Sequence, residues 1–128
     1  MKLHSFLYSL KMAINGLRTA LHRENNFQIQ LMIMITVLLL SFLLSLSIIE
    51  WCIILFCIGM VLCIELMNTS IEYLANLYNS HYDLRIKRIK DISAASVLLV
   101  SLISGIIGGL ILIPKCLNFA KSWKVLLY

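Results

Sequence analysis

The stretch "IELMNTSIEYLAN", residues 64–76, sets Glu65, Asn68, Thr69, Glu72 and Asn76 within a largely apolar run. At the helical repeat these five side chains fall within a sector of about 100° on one face, so they form a single polar stripe. A carboxylate inside a bilayer costs roughly 2.5–3.5 kcal/mol even on lenient insertion scales, and two on one face call for partners, cavity water, cations or protonation. A functional site is the default inference. Seven residues of helix place Glu65 roughly 10 Å deeper than Glu72. A carboxylate near the headgroup boundary can meet a metal and a soluble phosphate, whereas a deeper one meets the polar end of a lipid. The competing structural reading, in which both glutamates reach water at the end of the span and the amides join helices, fits Glu72 better than Glu65.

The elements that position the stripe follow from composition and length. Of 128 residues, 61% are hydrophobic and 13% charged, against roughly 45–50% and 25% in a soluble domain. This is the composition of an all-α membrane protein, and no linker, repeat or low-complexity tract divides residues 1–128 into more than one domain. Crossing the hydrocarbon takes roughly 20 apolar residues in a helix, and three stretches qualify, giving transmembrane helices over 29–49, 51–77 and 91–113. Residues 5–23 differ: Leu7, Leu10, Ile14, Leu17 and Leu21 share one face beside Lys11, Asn15, Arg18 and His22, the pattern of an amphipathic helix lying on the membrane. Residues 114–128 are read as a tail. No signal peptide is expected, since the first long apolar run begins at Leu31 and no small-residue cleavage site follows it.

The net charge of +5 is distributed by topology. Lys2, Lys11, Arg18 and Arg23 precede the first span, and Arg85, Lys87, Arg88 and Lys90 separate the second from the third. The positive-inside rule makes both regions cytoplasmic, leaving Glu50 in an external link so short that its two helices are antiparallel neighbours. Lys115, Lys121 and Lys124 are then external, against the rule. The basic surplus lies at membrane boundaries with no soluble domain to present it, which excludes a nucleic-acid role. Cys52, Cys57, Cys63 and Cys116 lack CxxC pairing and zinc-ligand spacing, and read as packing residues. Ser101, Gly105 and Gly109 make a small-residue face for helix packing.

The acidic residues are Glu24, Glu50, Glu65, Glu72, Asp83 and Asp91, and all but Glu50 fall on or near the cytoplasmic side in this topology. Carboxylates and cations converging on one membrane face suit a magnesium–nucleotide complex, since Mg²⁺ takes one or two carboxylates plus phosphate oxygens and Lys or Arg meets the remaining charge. For the loop composition alone, a basic cytoplasmic segment holding anionic lipid headgroups is the better explanation. There is no GxxxxGK[ST] loop and no HRD or DFG motif, so nucleotide chemistry here needs another scaffold.

"ELMNTSIE" (65–72) resembles the ExxN[ST]xxIE-type signature of the small prokaryotic diacylglycerol kinase family, which includes undecaprenol kinases. "NGLRTALHRENNF" (15–27), "EWCIILFCIGMVL" (50–62) and "KDISAASVLL" (90–99) are similar to its surface-helix end, second-span start and KD-x-x-[AS]-A-x-V segment, so the resemblance covers roughly 5–114. It implies a homotrimeric helical bundle of protomers with a surface helix and three transmembrane helices, active sites shared between subunits, and ATP- and Mg²⁺-dependent phosphorylation of a lipid alcohol, diacylglycerol or undecaprenol. Carried over by residue, it makes Glu65 the catalytic base and Glu24 and Glu72 the metal carboxylates. Asn68 becomes a site-organising amide and, with Asn76, His81, Tyr82, Asp83, Lys90 and Asp91, part of the nucleotide site. Arg18 and Ala94 would lie with Glu65 along the lipid substrate.

The chain departs from that pattern at Asn76, where the family usually has aspartate, at Asp83, often histidine, and at Ser5 and Met12, which replace a basic and an aromatic residue. None of these removes a carboxylate that carries the chemistry. Two other classes compete: a small cation-coupled transporter using Glu65, which leaves Glu24, Lys90 and Asp91 unexplained, and a non-catalytic membrane scaffold, for which neutralising Glu65 would be harmless.

Overall fold

A computed structural model describes residues 2–78 and 83–126, with side chains described over 4–78 and 83–122. Four helices follow in order: α1 (Lys2–Arg23), α2 (Asn25–Leu43), α3 (Ile48–Tyr78) and α4 (Leu84–Leu126). The last three are long and apolar enough to cross a membrane, in agreement with the all-α membrane reading. The expected residues His81 and Tyr82 lie outside the described residues.

The corner between α1 and α2 is a single residue. Glu24 has extended backbone (φ −112°, ψ 105°) between the two helices, and Gln28 Nε2 reaches back to donate to the carbonyl of Leu21 at 2.9 Å. That bond satisfies a carbonyl the end of α1 would otherwise leave open. Ala20 and Phe27 are buried at this corner. The rest of α1 is exposed on every face from His4 to Thr19, its apolar residues Leu7, Leu10, Ile14 and Leu17 included, which leaves that stripe open to a lipid surface.

The first span is shorter than the expected 29–49. α2 ends at Leu43, and its 19 residues give about 28 Å, close to the hydrocarbon thickness of about 30 Å. Ser45 turns the chain in the left-handed region (φ 49°), and Ser47 and Glu50 then form a capping box. Ser47 N–H and Oγ donate to Glu50 Oε2, each at 2.7 Å, and Glu50 N–H donates to Ser47 Oγ at 3.4 Å. The reciprocal bonds start α3 at Ile48, so the absence of charge through Ile49 says nothing about where the turn lies. Ser47→Ala should therefore destabilise the protein by about 1 kcal/mol, read as a lower midpoint in detergent-titrated unfolding.

α4 also exceeds the expected segment. It runs through Pro114 as one helix to Leu126, although an interior proline loses one backbone bond and crowds the carbonyl four residues back. Lys115, expected in a tail, pairs instead with Glu50 at 3.0 Å, both side chains partly buried. At the opposite end Lys90 Nζ donates to Asn76 Oδ1 at 3.3 Å. The two clasps lie 26 positions apart on α3 (50 to 76) and 25 apart on α4 (90 to 115), so the helices are antiparallel and in matched register. Lys115 thereby gains an electrostatic reason to sit where charge bias alone disfavours it.

Within α3, Ile54, Cys57, Glu65, Asn68 and Ala75 are the buried positions. They lie along one face, so the polar stripe continues the packing seam and turns inward toward α2 and α4. An apolar cavity of about 570 Å³ lies between these helices, with Gln30, Val37, Ile58, Val61, Gly105 and Leu112 among its walls.

Candidate active site

Depth orders the stripe. α3 has 31 residues, about 46 Å of helix, of which roughly 20 residues suffice to cross hydrocarbon. Measured from Trp51 beside the Glu50 clasp, that allowance ends near Ser70. Glu65 is thus within the membrane, while Glu72 and Asn76 emerge at the Lys90 end.

Glu65 is only 2% exposed. Its Oε2 accepts a hydrogen bond from Gln30 Nε2 at 2.9 Å across the α2–α3 contact. No Lys, Arg or His pairs with it among the described residues. A buried carboxylate served by one neutral donor is costly as a structural element, and its second oxygen is left to meet an incoming group.

One turn on, Asn68 is 6% exposed and donates from Nδ2 to Glu72 Oε1 at 3.2 Å. Its own Oδ1 is buried without a donor among the described residues, as is Gln30 Oε1. Glu24, at the α1–α2 corner, is reached by the hydroxyl of Tyr73, which donates to its Oε1. Since Tyr73 adjoins Glu72 in sequence, this bond brings the Glu24 carboxylate to the same level of the bundle. Lys90, half-buried, closes the group from α4 through Asn76. The structure therefore sets Glu65, Asn68 and Glu72 on the inward side of α3, with the exposed Asn76, Lys90 from α4 and Glu24 from the α1–α2 corner at the same end of the bundle.

Other expected residues are placed differently. Asp83 caps α4: its Oδ1 accepts the backbone N–H of Arg85 at 2.7 Å, and its Oδ2 pairs with the Arg85 guanidinium at 3.0 Å. The Arg85 side chain and backbone together hold the Asp83 carboxyl below the usual carboxylate range. Asp91 pairs with Lys87 one turn back at 2.5 Å, both exposed. Arg18 and Ala94 are exposed on α1 and α4. Two residues of the site were not anticipated. Gln30 is a neutral amide at the mouth of an apolar run, where its only signal was a polar residue at a span boundary, and Tyr73 follows Glu72 without any periodic signal.

Among the described residues no three His, Cys, Asp or Glu side chains cluster as a ready metal cage. Glu24 and Glu72 are two carboxylates at one level, a donor set suited to a cation that takes one or two carboxylates and completes its shell with phosphate and water.

Residues 11–112 match the family described as prokaryotic diacylglycerol kinase. The chain belongs to that family. It is 39% identical over 114 residues to the undecaprenol kinase of Bacillus subtilis (strain 168), covering 89% of this chain and 93% of that protein. It is also 30% identical over 116 residues to the diacylglycerol kinase of Synechocystis sp. (strain ATCC 27184 / PCC 6803 / Kazusa), covering 89% of this chain and 66% of that one. Family membership makes this membrane protein a lipid kinase, and the match contains every residue that the structure gathers on the inward face. It gives the transporter and scaffold readings no support.

Proposed function

We propose that the chain transfers the γ-phosphoryl group of ATP to the hydroxyl of a membrane lipid alcohol, with Glu65 as general base. The carrying observation is the Glu65 carboxylate, 2% exposed, below the membrane boundary, with a single neutral donor among the described residues. A lipid hydroxyl arriving laterally stays at that depth, and a proton acceptor must be within the membrane to meet it. Undecaprenol and diacylglycerol are the two acceptors, and the first is favoured by the relative with the higher identity and coverage.

Glu24 and Glu72 would hold Mg²⁺, which when bound neutralises charge on the transferred phosphate. Asn68 orients Glu72 through its amide, and Tyr73 orients Glu24 through its hydroxyl. Lys90, steered by Asn76, supplies positive charge to the nucleotide, and His81, Tyr82, Asp83 and Asp91 are assigned to nucleotide binding with it. Arg18 and Ala94 flank the lipid's approach. Phosphoryl transfer needs chiefly positioning and charge stabilisation, so a few side chains on packed helices suffice.

The active end faces the cytoplasm, where ATP is, as the basic residues Arg85, Lys87, Arg88 and Lys90 beside it indicate. The assembly is a homotrimer with shared sites. One protomer leaves the membrane window of α4 with no buried residue, and adjacent copies complete the walls. An omission series tests the cofactor assignment: ADP should be released only when ATP, Mg²⁺ and a lipid alcohol are all present in the micelles. Full release without magnesium contradicts it.

A further inference from the structure

Among the described residues the Gln30 amide is the one side chain that hydrogen-bonds Glu65, and its oxygen is unused. Nε2 donates to Glu65 Oε2 at 2.9 Å, while Oε1 is buried without a donor among the described residues. An amide kept merely to join two helices would leave no buried acceptor open, because an unmet polar atom in an apolar setting costs free energy. The setting here is apolar: Gln30 lies at the edge of the cavity formed with Met34, Val37, Ile58 and Val61.

We propose that Gln30 is a positioning residue for proton transfer at Glu65, its amide serving the base in both protonation states. This rests on the general-base reading of Glu65. Before reaction Glu65 is a carboxylate, able only to accept, and the Gln30 N–H holds one of its oxygens so that the other faces the lipid hydroxyl. In the reaction the hydroxyl oxygen bonds to the γ-phosphorus and the bond from that phosphorus to the bridging oxygen of ADP breaks. The hydroxyl proton passes to Glu65 and is released to water after the phosphorylated lipid departs. While it holds that proton, Glu65 is a carboxylic acid whose O–H needs an acceptor. A half-turn of the Gln30 terminal amide about its last torsion, where the preference is broad and roughly two-fold, exchanges Nε2 for Oε1 at the same place. The open oxygen then receives the acid proton. Asn68 shares the feature of an open oxygen, but its donor is committed to Glu72, so it does not perform this task for Glu65.

The test uses the full chain in mixed micelles. Gln30→Met keeps length and loses the amide; Gln30→Leu is the second variant. With a hydrogen bond to a charged group removed, kcat should fall roughly ten- to hundredfold, while KM for ATP and for lipid and the unfolding midpoint stay at wild-type values. In a Glu65→Gln background Gln30→Met should cost no further turnover, because the two residues act as a unit. The carboxylate infrared band that disappears in Glu65→Gln should shift in Gln30→Met. Wild-type kcat and an unmoved band in either folded Gln30 variant overturn the proposal while leaving Glu65 as base, as does a loss of kcat that tracks a lowered unfolding midpoint. An active Glu65→Gln enzyme overturns the base assignment itself.

Discussion

Replacing Glu65 with glutamine should lower kcat by about 10²–10⁴-fold, the range a general base contributes, and leave ATP binding within a few fold of wild type. The substitution keeps shape and removes only the proton-accepting carboxylate. Gln30 Nε2 can still donate to the new amide oxygen, so the helix contact at 2.9 Å survives. In the proposed site, nucleotide binding is assigned elsewhere, to Lys90 beside Asn76 and to the carboxylates Glu24 and Glu72. Stability should rise slightly, since a buried carboxylate without a cationic partner is replaced by a neutral group. Turnover by chromatographic separation of phosphorylated lipid and nucleotide affinity by calorimetry check the two halves. Lost binding with residual turnover would assign Glu65 to the nucleotide instead.

Glu72→Gln and Glu24→Gln should each raise the Mg²⁺ concentration for half-maximal rate by at least about tenfold, the scale on which even indirect disturbance of a metal ligand acts. The two residues enter from different places, Glu72 from the emerging end of α3 and Glu24 from the corner before α2. They are brought level by the Tyr73 hydroxyl, so Tyr73→Phe should raise the magnesium requirement in the same direction by a smaller factor. Glu65→Gln should leave the magnesium midpoint unmoved, which separates metal binding from proton transfer. An unchanged magnesium titration in both glutamate variants would remove the metal from these residues.

The polar stripe was legible in sequence because periodicity is strongest where a few polar residues interrupt an apolar run. Five polar positions of 64–76 at helical spacing left one geometry open, and the structure turns that face inward. The partners of the stripe were not legible. Gln30 meets Glu65 across 35 residues of sequence, and Tyr73 meets Glu24 across 49. Nothing in the local pattern of either segment specifies such pairings, which arise only once the α1–α2 corner and the α2–α3 turn have fixed the register. The end of the first span was misplaced for a different reason. Counting uncharged residues runs straight through the turn, while the signal that ends it is chemical, the Ser47–Glu50 capping box. Lys115 looked anomalous under a charge-bias rule because its partner, Glu50, adjoins it only in the antiparallel fold.

The central claim, that this membrane bundle phosphorylates a lipid alcohol, is tested most directly by following the phosphate. Purified protein in mixed micelles is given Mg²⁺ and ATP labelled at the γ-phosphate, with undecaprenol in one reaction and diacylglycerol in the other, and the lipids are extracted. The account predicts label in the lipid fraction, with undecaprenol the better acceptor, and none with Glu65→Gln. Folded protein that labels neither lipid, or a Glu65→Gln enzyme that labels them as well as wild type, would contradict it.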